Sequence, residues 1–139
     1  MNLADVMQEM ADRLEAEITD FRKVFGFPPD RVGGTPTAIV TYPDDYAYDA
    51  TYGRGSDRIQ NLPVVVLVGK VDDRGTRELI GKFADGSGDA SVKQALESGE
   101  YTAFDTIRVQ TADFDIVTVS GTEYLAATFA CDITGKGTA

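Results

Sequence analysis

Apolar residues along this chain follow two periods, one near 3.6 and one near 2, and one stretch obeys neither. That stretch is Leu62-Pro63-Val64-Val65-Val66-Leu67-Val68-Gly69-Lys70-Val71, the most apolar run in the protein. It is rich in β-branched valine, whose restricted rotamers favour a pleated backbone. Its length suits a strand, since a membrane-spanning helix needs about 20 apolar residues. Because the run is continuous and does not alternate, it predicts a strand covered on both faces over Val64–Val68. Asp72-Asp73 ends it and can cap the helix that follows, where carboxylates meet free N–H groups and oppose the dipole. In that helix Leu79, Ile80 and Phe83 recur at helical spacing and give one apolar side. Upstream, Tyr52-Gly53-Arg54-Gly55-Ser56-Asp57-Arg58 reads as a loop, with two glycines around an arginine.

The remaining pattern fills in the elements. Leu3, Val6, Met7, Met10, Leu14 and Ile18 form the stripe of an amphipathic helix over Leu3–Thr19, with Asn2 as its N-cap. Strands are predicted at Phe21–Phe27, Thr37–Tyr42 and Tyr46–Thr51, with Pro28-Pro29-Asp30, Gly33-Gly34 and Pro43-Asp44-Asp45 as breaks. Arg58–Val71 is the central long strand. Asp85–Asp89 is a turn, and Ser91–Ser98 a short helix carrying Val92, Ala95 and Leu96. Two long strands close the chain: Ile107–Val119, bent near Ala112-Asp113, and Thr122–Ile133, joined by a Ser120-Gly121 hairpin. The pattern predicts an α+β fold: a largely antiparallel sheet, an N-terminal amphipathic helix, and two further helices mainly on one side. It predicts one domain over residues 1–134, with the glycine-rich residues 135–139 as a flexible tail.

Composition narrows the chemistry. The 139 residues carry a formal net charge of −10 and no histidine. That charge argues against a surface that grips DNA or RNA, which needs clustered Lys and Arg. Residues 1–14 include Asp5, Glu9 and Asp12 and lack the apolar core of a signal peptide. Cys131, the single cysteine, has no internal partner for a disulfide and sits in an apolar strand pattern without a basic neighbour. Without histidine there is no Ser-His-Asp triad. Gly135-Lys136-Gly137-Thr138 lacks the earlier glycine and the following helix that a phosphate loop requires. Asp85, Ser87 and Asp89 echo the start of a calcium loop, but Ala90 and Leu96 occupy its glycine and glutamate positions. The acidic pairs Asp44-Asp45 and Asp72-Asp73 are read as turn and cap residues. No catalytic, metal-binding or cofactor-binding residue is assigned, and the chain reads as a protein without enzymatic activity.

The stretch Pro43–Asn61 asks for more than a solvated loop. It combines Tyr46, Tyr48, Tyr52, Arg54 and Arg58 with Asp44, Asp45, Asp49 and Asp57. Tyrosine and arginine carry interface energy because they join large area to directional hydrogen bonds. Mixed charge on one long segment fits a subunit contact in a closed ring. Asp44, Asp45, Tyr46, Tyr48, Tyr52, Arg54, Asp57 and Arg58 are therefore the candidate interface, with Arg54 and Arg58 foremost.

These residues also carry a resemblance. Tyr42-Pro43-Asp44, Tyr48 to Arg58 and Leu62 to Gly69 are similar to the tail terminator proteins of long-tailed phages of actinobacteria. The amino-terminal helix, Phe27-Pro28-Pro29-Asp30, Ser91-Val92-Lys93, Tyr101-Thr102-Ala103-Phe104-Asp105 and Tyr124-Leu125-Ala126-Ala127-Thr128-Phe129 extend it in order. The resemblance implies a virion structural protein with no cofactor. It implies a homo-hexameric ring on the head-proximal end of the tail tube, which stops addition of the major tail tube protein. It also implies a head–tail connector or neck protein as partner, assembly in the host cytoplasm, DNA passing through the lumen unbound, and no membrane contact. Six copies would carry a formal charge of about −60, which repels DNA wherever it faces the lumen. Three alternatives stay open: a head-completion or stopper protein of the neck, a small anion- or ligand-binding domain using Gly53-Arg54-Gly55, and a bacterial protein of a contractile or gene-transfer apparatus with the same ring role.

Overall fold

The computed structural model describes residues 1–29, 33–48, 56–119 and 121–136. The valine-rich run lies in the strand on which the rest is assembled. In chain order the elements are α1 (Leu3–Glu17), β1 (Lys23–Phe25), β2 (Thr37–Val40), β3 (Asp45–Ala47) and β4 (Ser56–Lys70). They continue with α2 (Arg74–Ala84), α3 (Val92–Glu97), β5 (Thr106–Val119) and β6 (Thr122–Lys136). Among the described residues, six strands form one sheet in the order β1-β2-β4-β6-β5, with β3 also paired to β4. Every pairing is antiparallel except β1 with β2. The fold class is α+β, as the pattern predicts.

β4 holds β6 along one edge and both short strands along the other. Its residues 58–60 pair with β3 and its residues 64–67 with β2. A bulge interrupts β4 between Ile59 and Leu62, where Asn61 takes a φ of 52°. Asparagine tolerates this left-handed geometry better than most residues. The two-residue β5–β6 turn closes on the Val119–Thr122 pair, and Gly121 supplies a φ of 81° there.

Local signals place the helices. Asn2 caps α1 by accepting the Asp5 N–H, Asp73 caps α2 through the Gly75 N–H, and Ser91 caps α3 through the Gln94 N–H. All three helices bury their apolar sides in one core. Val6, Met10 and Leu14 of α1, Phe83 of α2, and Val92 and Leu96 of α3 meet Ile59, Leu62, Val64 and Val66 of β4. Phe21 stacks on Phe83 with ring centroids 4.9 Å apart. Gly69 gives α2 its close approach, because a Cβ there would lie 2.5 Å from Thr76 Oγ1.

Four expectations are corrected. β4 begins at Ser56, two residues before its predicted start at Arg58, because Ser56 and Asp57, read as loop, pair with Lys136 and Gly135 of β6. β6 itself runs to Lys136, past the predicted fraying point. There the Met1 ammonium donates to the Lys136 carbonyl, and the Met1 side chain packs where a Gly135 Cβ would sit. The Phe21–Phe27 strand shrinks to three residues. The bend in β5 falls between Val109 and Thr111, before Ala112. Over Val64–Val68 the second face of β4 is covered by no helix among the described residues. Leu67 is buried there by Ile39, Ala126 and the rims of Phe25, Val65, Val117, Val119 and Tyr124.

Candidate interaction surface

The candidate interface residues fall on β3, on the start of β4 and on the turn before them, and the strand pleat divides them between two faces. Tyr46 stands opposite Ile59 and points to the helix-covered side. Its hydroxyl donates to Asp57 Oδ2 at 2.8 Å and lies 3.3 Å from the Met1 carbonyl oxygen. Asp57 is buried. Burial, then the hydrogen bond to Asp57 and its charge, push the Tyr46 hydroxyl up to about 12. Tyr48, two residues on, places its ring 4.8 Å from that of Tyr46 and is 76% exposed. Tyr46 is thus an anchor and Tyr48 the exposed member of the pair.

Arg58 points to the opposite, helix-free side. It forms an ion pair with Asp132 of β6, which also accepts the Gln110 Nε2 hydrogen bond at 2.7 Å and the Asn61 N–H at 3.3 Å. Asn61 Nδ2 in turn donates to Asp44. Asp44 and Arg58 are therefore joined through two residues that sequence reasoning did not single out, Asn61 and Asp132. Asp132 was legible only as a polar position alternating with buried Cys131 and Ile133. Asp45 is exposed in β3, opposite Gln60. Tyr52 and Arg54 lie outside the described residues.

Contacts are visible at two of the sites weighed for chemistry, the Asp85–Asp89 turn and Cys131. The Asp85 side chain accepts the Ser87 N–H and its carbonyl accepts the Ser91 hydroxyl, so the turn holds Ser91, the N-cap of α3. Among the described residues, no three His, Cys, Asp or Glu side chains gather as a metal-holding group. Cys131 is fully buried, and burial first, then the charges of Asp132 and Glu97, push its thiol up to about 12. Among the described residues, no helix is long and apolar enough to cross a membrane. An apolar groove of about 400 Å³ runs between α1 and the ends of β1 and β2, lined by Leu3, Met7, Phe27 and Tyr42.

No protein-family model matches the chain, and no curated protein matches it.

Proposed function

We propose that this chain is a structural protein of a long-tailed phage: a tail terminator whose ring caps the head-proximal end of the tail tube. The sequence resemblance, kept in order along nearly the whole chain, supports the reading. The observation that carries it is the open sheet, whose end strands β1 and β5 have no outer strand partner among the described residues. A subunit that must meet like neighbours on two sides, a tube below and a neck above needs several distinct surfaces on a rigid core. Tyr48 on the helix-covered side and Asp45 with the Arg58–Asp132 cluster on the opposite side offer two such surfaces.

In this role the chemistry is assembly. A growing tube exposes unpaired edges, and a cap must match that face while offering a different one to the neck. Net negative charge keeps the passing genome from adhering to the lumen. Deleting the gene from its phage tests the reading by negative-stain microscopy. Overlong or heterogeneous tails detached from filled heads are expected. Tails of normal length beside leaking heads would overturn it and put the protein on the head side of the neck.

A further inference from the structure

The two end strands differ in chemistry and match each other. β5 is covered only over its first half. There Lys93 Nζ donates to the Val109 carbonyl at 3.2 Å, and Glu97 accepts the Val109 N–H at 2.8 Å, so α3 closes the edge at that residue. Beyond the bulge the strand leaves α3 behind. Phe114 and Ile116 are 56% and 52% exposed, and the exposed Asp113 and Asp115 alternate with them. The Ile116 N–H is met by the carboxylate of Asp115 at 2.8 Å. An open edge with apolar side chains is a pairing template, and carboxylates along it are a common guard.

At the other end of the sheet, β1 is short and cationic, with Arg22 and Lys23 exposed and Lys23 Nζ 5.7 Å from the Phe25 ring centroid. The faces agree. Val24 packs with the helix-covered core, as does Ala112, which shares a side of β5 with Phe114 and Ile116. Phe25 packs with the helix-free cluster, as do Val117 and Val119, which share a side with Asp113 and Asp115. The directions agree too, since the sheet order makes β1 and β5 antiparallel.

We propose that the distal edge of β5, Ala112–Val119, receives β1 of a second copy of this chain, continuing the sheet head to tail. Val24 opposite Phe114 sets Lys23 against Asp115 and Phe25 beside Asp113. The apolar Val24, Phe114 and Ile116 then share the helix side. Lys23 draws Asp115 away from the Ile116 N–H, so the guard works against like edges and yields to a basic one. A contact between two different edges propagates in one direction and closes when the rotation allows, which makes a ring. The inference names the subunit contact of the ring proposed above and rests on that reading for the ring itself.

Sedimentation of the full chain over a wide concentration range tests it. The variants Asp113→Lys/Asp115→Lys and Arg22→Glu/Lys23→Glu should each weaken self-association on the order of a hundredfold, because each sets like charges face to face at the 23–115 pair and adds a second like charge next to it. Mixing the two should restore assembly with alternating subunits, and the four-fold variant should assemble alone. A wild-type chain that stays monomeric overturns the proposal, as does assembly that survives either charge reversal or loss that mixing fails to rescue. Should a reversal variant unfold by circular dichroism, Asp113→Asn/Asp115→Asn takes its place, and unchanged association in it is equally fatal. Tail length in the deletion phage is read separately, so failure of the edge contact leaves the terminator reading to its own test.

Discussion

The two faces of the sheet are written in the same alternating strands and end in different states. On one face three helices close over β4 and β6, and side chains such as Phe83, Val64 and Ile133 lose all solvent contact. On the other, no helix among the described residues arrives, and the buried apolar cluster is limited to Ile39, Leu67 and Ala126, with buried Thr37 beside them, under a rim of partly exposed side chains. Beside that small cluster lies the polar group centred on Asp132. Alternation thus decides which way a side chain points, while its depth is decided by whatever covers it.

Truncation on each face should separate them most clearly. Phe83→Ala removes a ring packed against Phe21 and the main core, and should cost about 3–5 kcal/mol in urea unfolding. Leu67→Ala opens a cavity on the uncovered face, where neighbouring side chains can close in, and should cost about 2 kcal/mol. Equal losses would mean that the second cluster is as tightly packed as the first. Next in size is the polar group. Asp132→Ala strands Gln110, the Asn61 N–H and Arg58 together and should cost about 1–2 kcal/mol. Arg58→Ala, whose side chain is 42% exposed, should cost about 0.5 kcal/mol in the same unfolding experiment.

The smallest effect concerns acid. Burial, the largest influence on Glu9, would raise its pKa. Hydrogen bonds from the Thr102 hydroxyl and the Ala103 and Thr102 N–H groups outweigh burial and lower it. Burial likewise pushes Glu97 up, and Lys93, the Val109 N–H and the charge of Arg108 bring it down. A carboxylate held below its unfolded value contributes stability at neutral pH that is lost as the pH falls through that range. Stability should therefore decline between about pH 5 and 3, and Glu97→Gln should flatten that limb while lowering the neutral plateau. A limb as steep in Glu97→Gln as in the wild type would assign the acid sensitivity elsewhere.

Much of the framework was legible because its signals are local. Periodicity marked α1, α2 and α3, capping residues marked the starts of the first two at Asn2 and Asp73, and Gly121 marked the hairpin, whereas the Ser91 cap of α3 came from the structure. The candidate surface was legible in part. Tyr46 and Tyr48 do share a side, whereas nothing near Asp132 in the chain announces that Arg58, Asn61 and Gln110 converge on it. Ser56 and Asp57 misled for the same reason. Their composition is that of a loop, and partners some 80 residues later in β6 make them a strand. Local pattern was enough for the kind of most elements and for the alternation of sides within them, since both follow from backbone geometry over a few residues. Long-range packing alone sets β1 parallel to β2, puts β2 and β3 on one edge of β4, and leaves half of β5 without an outer partner among the described residues. Those outcomes depend on which distant segments meet, and pairing across the chain leaves no local period to read.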